Sequence, residues 1–152
     1  MNAPLEQQNN HDNQVKLPGE VKLIELNRAI DPRGDLTSIE FMSETPFQPK
    51  RIFLITNVPP EFERGSHAHK SCKQLLIVAS GSVTVRLNDG KSKEKVVTLS
   101  QHKSLYVPSM IWVELVFNSK ESVLVVLASE SYDPDEYIKS YKTFLGLIES
   151  SK

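Results

Sequence analysis

Two histidines carry the most chemical information in this chain. His67 and His69 stand two residues apart in the run Arg64-Gly65-Ser66-His67-Ala68-His69-Lys70. Imidazole titrates near neutral pH, so it takes and returns a proton at low cost. In an extended strand, residues i and i+2 point to one face, so both rings should project into one space. Gly65 just ahead of them permits a turn or a close approach of backbone. For one isolated histidine the ordinary reading is a polar residue satisfied at a sheet edge. A pair beside a glycine in a β-protein points instead to function.

The elements around the pair are short and β-like. Val21 to Leu26 alternates, and Asp31-Pro32-Arg33-Gly34-Asp35 is a turn signal. Leu36 to Phe41 and Arg51 to Val58 are strand-like, and Pro59-Pro60 stops the second. Gln74 to Ala79 is a near-continuous apolar run, as expected for a strand covered on both faces. In Ser82 to Leu87, Val83, Val85 and Leu87 share a face, and Asn88-Asp89-Gly90 closes a hairpin. Lys95 to Leu99, Ser104 to Val107, Trp112 to Phe117 and Ser122 to Ala128 complete the set. Strand starts at this spacing predict an all-β sandwich or barrel. Only the C-terminus changes character. Asp133-Pro134-Asp135-Glu136 reads as a helix start, and Tyr137, Ile138, Tyr141, Phe144, Leu145 and Ile148 follow at helical spacing. One or two short helices should pack on the sheet.

Bulk properties set the remaining bounds. A chain of 152 residues suits one domain with a real core. Its net charge of −1 gives no global field toward nucleic acid or an acidic membrane surface. The single cysteine, Cys72, forms no intramolecular disulfide, so nothing requires an oxidising compartment. No apolar run is long enough to span a bilayer as a helix. The N-terminus lacks the basic start and apolar stretch of a signal peptide, so the expected location is the cytoplasm. Residues 1–17 are polar and aperiodic and predict a disordered or loosely docked arm, with residues 18–152 forming a single domain. His11, in that arm, and His102, in a turn, read as solvated side chains.

The glycine, the His-x-His pair and Gly81 resemble the first motif of the cupins, which implies a double-stranded β-helix, the cupin jelly roll. Metal-binding cupins add a carboxylate after the pair and a third histidine from a later strand. By that resemblance Gln74 stands at the carboxylate position and Val113 at the histidine. Two imidazoles and an amide fall short of the three strong ligands that Zn²⁺ or Fe²⁺ usually takes. Glu114 should face away from the site. Neither metal nor other cofactor is therefore expected, and the pair reads as a proton-transfer device.

The chain also resembles the sugar-nucleotide 3,4-ketoisomerases of the cupin superfamily, WxcM-like proteins that act on dTDP-4-keto-6-deoxyglucose. The resemblance runs from about Val21 to Leu145. It rests on Asp31-Pro32-Arg33-Gly34, Phe47-Gln48-Pro49-Lys50-Arg51, Arg64 through Lys70, Gln74 with Gly81-Ser82, Leu105-Tyr106-Val107-Pro108 with Trp112, and Leu127 through Asp133 with Asp135, Tyr137-Ile138 and Tyr141. The histidine run together with the Ala-Ser-x-x-Tyr-Asp tail is specific.

The resemblance implies removal of the C3 proton by a base, an enediol, and reprotonation at C4, leaving the ketone at C3. The configuration at C4 then depends on which face receives the proton. His67 maps to the base and His69 to its partner. Arg51, Arg64 and Lys70 are candidates for the two phosphates, where charge-assisted bonds are strong. Arg33 is a candidate for the sugar end, Gln74 for a hydrogen bond to sugar or imidazole, and Tyr106 and Trp112 for cavity lining or base stacking. For Trp112, core packing is an equal alternative. The resemblance further implies a homodimer and a deoxysugar precursor for surface polysaccharide or a glycosylated product.

The match departs at two places. The family usually carries His or Arg where this chain has Val113, and tyrosines in the strand that here reads Arg51-Ile52-Phe53-Leu54-Ile55-Thr56. The competing readings are therefore a nucleotide-sugar-binding cupin without turnover, a related sugar-nucleotide epimerase and, against Gln74 and Val113, a metal-dependent cupin.

Overall fold

Alternation of apolar and polar residues produces the expected sandwich. The computed structural model describes residues 16–152. The N-terminal arm, but for its last two residues, lies outside the described residues, as does His11. Strands β1 (Lys22–Glu25), β4 (Arg51–Ile55), β6 (Gln74–Ser80), β9 (Lys103–Val107) and β11 (Val123–Ala128) form one sheet in the order β1-β9-β6-β11-β4. Strands β5 (Glu63–His69), β7 (Ser82–Asn88), β8 (Lys95–Ser100), β10 (Trp112–Phe117) and β12 (Tyr137–Ile138) form the second, in the order β12-β5-β10-β7-β8. A separate hairpin pairs β2 (Asn27–Asp31) with β3 (Gly34–Ser38). The cupin jelly roll is the observed architecture.

The inward faces of both sheets close on a hydrocarbon core. Val83, Val85, Leu87 and Phe117 from one sheet meet Leu105, Leu124 and Val126 from the other, all essentially without solvent contact. The apolar run in β6 behaves as predicted. Leu76 and Val78 join this core, while Leu75 packs on the outer side with Phe47, Tyr106 and Leu127.

The C-terminus differs from the helical reading. Asp133 caps a single 3-10 turn, Pro134–Glu136, and Tyr137 and Ile138 then extend and pair with His69 and Ala68 of β5. The true helix, α1, spans Tyr141–Ser150, and the Ser140 hydroxyl accepts from the Thr143 N–H at its start. Tyr137 and Ile138 fit the helical spacing by coincidence, because an unpaired edge of β5 was available to satisfy their backbone. Helix α1 lays Phe144 and Ile148 on Ala68, Trp112 and Ile138, which covers the outer face of β5. The strand predicted at Leu36 to Phe41 ends earlier, at Ser38, where the chain turns.

Candidate active site

Strand β5 builds the site, and a bulge sets its geometry. Opposite it on β10, Val113 pairs with His67 and Glu114 with Gly65, so Ser66 is an extra residue between them. Gly65 and Ser66 both have positive φ, +83° and +54°. A Cβ on Gly65 would lie 2.8 Å from the Val113 carbonyl oxygen, a contact that only glycine avoids. The bulge shifts the alternation, which lets Arg64, Gly65, His67 and His69 all face one cavity while Ala68 faces α1.

The cavity encloses about 190 Å³ between the sheets. The β5-bearing sheet contributes both imidazoles, Tyr137, Val113 and Leu115. The facing sheet contributes Phe53, Ile55, Leu76, Val107 and Val126, with Gln74 as its polar group. The imidazoles meet edge to face with centroids 4.9 Å apart, and the Tyr137 ring lies 5.0 Å from His67 and 4.6 Å from His69. Among the described residues no group of three His, Cys, Asp or Glu converges as a metal-binding cluster.

Electrostatics separate the two histidines. The His67 Nδ1 lies 2.9 Å from the Gly65 carbonyl oxygen, which only accepts. In the neutral ring Nδ1 therefore carries the proton and Nε2 keeps a free lone pair. Burial lowers the His67 pKa, the bond to Gly65 partly restores it, and Lys139 lowers it further. His69 is only 6% exposed, and neither of its ring nitrogens has a protein partner. Burial foremost, then the His67 and Arg51 charges, pull its pKa down to about 4 against the opposing pull of Glu136. At neutral pH His69 is uncharged. It can position a substrate oxygen, but it holds no imidazolium proton to deliver.

Glu136 fixes the edge of the site. Its carboxylate accepts from the Ser71 N–H at 3.0 Å, the Ser71 hydroxyl at 2.6 Å and the Cys72 N–H at 2.8 Å. Burial pushes its pKa up, but these bonds outweigh that and hold it below the ordinary range. The β5–β6 loop is thereby tied to the residue just before Tyr137. The β9–β10 loop is tied in as well, because the Met110 N–H donates to the His69 carbonyl at 2.8 Å.

The predicted site residues divide. His67, His69, Arg64 and Gln74 line the cavity, and Val113 lies beside His67. Arg51 shares the inward face of β4 with Phe53 and stacks over that ring at 5.0 Å and over Tyr132 at 5.4 Å, its Nε buried without a partner.

Four candidates fall elsewhere. Lys70 is exposed and lies just past the end of β5. Arg33 sits in the β2–β3 turn with its side chain 90% exposed and paired to Asp31. Tyr106 packs on the outer face of its sheet, since Val107 takes the inward position. Trp112 belongs to the α1 packing layer and donates its indole N–H to Glu114, which does face away from the cavity as expected. His102 is half-buried against the Thr37 hydroxyl rather than freely solvated.

Sequence reasoning missed Tyr137 and Glu136, because both were absorbed into the supposed helix. The available signal was Ser140, a better cap for the helix at Tyr141 than Asp133.

A two-sheet jelly roll holding an imidazole pair between its sheets defines a cupin-class protein. The chain belongs to the FdtA family (WxcM-like, C-terminal), whose model matches residues 19–149. It is 38% identical over 129 residues to a TDP-4-oxo-6-deoxy-alpha-D-glucose-3,4-oxoisomerase of Aneurinibacillus thermoaerophilus, covering 85% of this chain and 93% of that one. A solved 3,4-ketoisomerase from Helicobacter canadensis superposes with a TM-score of 0.82 at 37% identity, covering 86% of this chain and 98% of that one. A histidine-to-asparagine variant of the ketoisomerase QdtA from Thermoanaerobacterium thermosaccharolyticum, solved with TDP-4-keto-6-deoxyglucose, matches with a TM-score of 0.82 at 36% identity, covering 86% and 94%.

Proposed function

We propose that this chain is a 3,4-ketoisomerase of TDP-4-keto-6-deoxyglucose, with His67 as the base that moves the C3 proton to C4. The observation that carries this assignment is the His67–Gly65 hydrogen bond, which leaves Nε2 unprotonated on a ring that lines the cavity. The ketone at C4 acidifies the C3 hydrogen, and an imidazole whose pKa burial lowers stays uncharged and free to take that proton. His69 and Tyr137 serve the sugar oxygens. Arg64 at the cavity wall and Arg51 beside it supply cations for the diphosphate. The apolar floor of Phe53, Ile55, Leu76 and Val126 suits a sugar lacking its C6 hydroxyl.

The same reading includes a homodimer. Ile52 and Leu54 on the outer face of β4 are 61% and 62% exposed, and Phe41, 50% exposed, lines the same outer groove as Ile52. Patches of this kind mark association. No helix of the described residues is long and apolar enough to cross a membrane. We place the enzyme in the cytoplasm because a nucleotide diphosphate sugar does not cross a bilayer unaided, and its product there would feed deoxysugar assembly.

Incubating the protein with TDP-4-keto-6-deoxyglucose in D₂O tests the reading by NMR. Deuterium incorporation with a 3-keto product is the expected result. Saturable binding without exchange would leave a non-catalytic sugar-nucleotide cupin.

A further inference from the structure

Arg51 carries a charge that the protein leaves without a counter-ion. Its Nε is buried and meets no acceptor. Among the described residues the ion pairs all lie elsewhere. A buried donor on a cation is costly until an acceptor reaches it. Two aromatic rings hold the guanidinium instead, Phe53 at 5.0 Å and Tyr132 at 5.4 Å. Ring faces attract a cation but offer no oxygen to its N–H groups, so those donors stay unspent for an oxyanion.

The two rings differ in origin. Phe53 stands two residues along the same strand and keeps its place with β4. Tyr132 arrives from the segment between β11 and the 3-10 turn, and that segment is fastened on both sides. Before it, the Ser129 N–H donates to the Lys73 carbonyl at 2.9 Å, and Glu130 pairs at 2.8 Å with Lys50, the residue preceding Arg51. After it, Asp133 caps the turn. Tyr132 itself is 66% exposed. An exposed tyrosine is ordinary. This one joins the outermost strands of the two sheets, because its ring also lies 6.0 Å from that of Tyr137 on β12.

We propose that Tyr132 is a positioning residue for the nucleotide, its ring holding the Arg51 guanidinium beside the cavity in the orientation that receives the diphosphate. The proposal rests on the reading of Arg51 as a diphosphate cation and adds the residue that places it.

The physical gain is preorganisation. Arginine is long and rich in rotamers, and ordering it at the moment of binding weakens affinity. A ring already resting on the guanidinium bears that cost before the ligand arrives. The benefit falls on binding and not on proton transfer, since the ring contacts of Tyr132 reach Tyr137 and neither imidazole.

Calorimetric titration with TDP tests the assignment. Tyr132→Ala should bind TDP about tenfold more weakly than the wild type, as expected for loss of a partly desolvated cation–π contact. Its thermal unfolding should stay close to that of the wild type, because the residue is exposed. Tyr132→Phe keeps the ring and should recover most of the affinity. In an Arg51→Gln background, Tyr132→Ala should change TDP affinity by less than about twofold, because the group it positions is gone. In turnover of TDP-4-keto-6-deoxyglucose, Tyr132→Ala should raise KM and alter kcat much less.

Wild-type affinity in Tyr132→Ala overturns the proposal and leaves the ketoisomerase reading intact. An equal loss in Tyr132→Phe does the same, since the hydroxyl would then be a direct contact. So does a tenfold loss that persists in the Arg51→Gln background. Unchanged affinity in Arg51→Gln alone removes the diphosphate role on which the proposal rests. A wild-type protein that binds no TDP overturns both the proposal and the nucleotide-sugar reading.

Discussion

The ring of His67 hangs from its own strand, its Nδ1 lying 2.9 Å from the carbonyl oxygen of Gly65. The bulge makes this contact possible, since two successive positive-φ residues turn that carbonyl toward the ring. Removing the imidazole should remove the reaction and spare the fold. His67→Asn should lower turnover and C3 exchange by at least about a hundredfold, with thermal unfolding close to that of the wild type. Exchange at the wild-type rate in this variant would move the base elsewhere.

Gly65 is then a positioning residue. Alanine there would push its Cβ to 2.8 Å from the Val113 carbonyl oxygen at a φ of +83°. The strain should cost about 1–3 kcal/mol of stability. The bulge should also shift, carrying the His67 ring off its hydrogen bond. Gly65→Ala should therefore lose about tenfold or more in kcat. Because the cost falls on proton transfer and not on the diphosphate contacts, KM should change much less. Equal losses in both constants would point to general unfolding.

The histidine environments predict a pH response. Burial lowers the His67 pKa below its ordinary 6.5, so the acid limb of kcat/KM should fall below that value. His69 contributes through stability. Below about 6.5 the unfolded chain protonates it, while the folded chain resists down to about 4. The unfolded state binds more protons in this window, so stability is full above 6.5 and falls as the pH drops toward 4. The loss reaches about 3 kcal/mol for a shift of this size. Urea unfolding across that range should show a decline that His69→Gln reduces.

Much of the fold was legible because its signals are local. The alternation in Ser82 to Leu87 and the apolar run from Gln74 reach the structure as β7 and β6. The His-x-His spacing puts both rings on one face, as the strand period requires. What escaped depends on distant partners. Tyr137 and Ile138 carry a helical spacing but are drawn onto the free edge of β5. Nothing near Tyr106 in the sequence says that Phe47 and Leu75 will claim it for the outer layer. Arg64 lies three residues from His67, so simple alternation would turn it away. The bulge that brings it back is visible only once β10 is alongside.

Glu136 ties the loop bearing Ser71 and Cys72 to the entry of β12. Its replacement by alanine strands three donors and loosens Tyr137 from the imidazoles. The expected cost is about 1–3 kcal/mol, with kcat reduced more than in a variant of equal stability elsewhere. Because the bonds hold the Glu136 pKa below 4.5, its contribution is present above that pH and is lost as the pH falls through the lowered value. Identical acid unfolding of wild type and Glu136→Ala would count against this anchor.

The outer face of β4 supplies the last prediction. Strand alternation sends Arg51, Phe53 and Ile55 inward, which forces Ile52 and Leu54 outward, where both remain more than half exposed. Phe41, half exposed in the turn beyond the β2–β3 hairpin, lines the same outer groove as Ile52. Within one chain nothing among the described residues covers them. A second copy applied to this face would bury hydrocarbon on both sides at about 25 cal/mol per Å² of apolar surface removed from water. Leu54→Lys places a charge on that outer face without touching the cavity. Sedimentation should show a dimer for the wild type and a shift toward monomer for the variant, with C3 exchange per folded chain retained where the cavity is self-sufficient. A wild-type monomer at micromolar concentration would remove the dimer from the proposed function and leave the chemistry of His67 untouched.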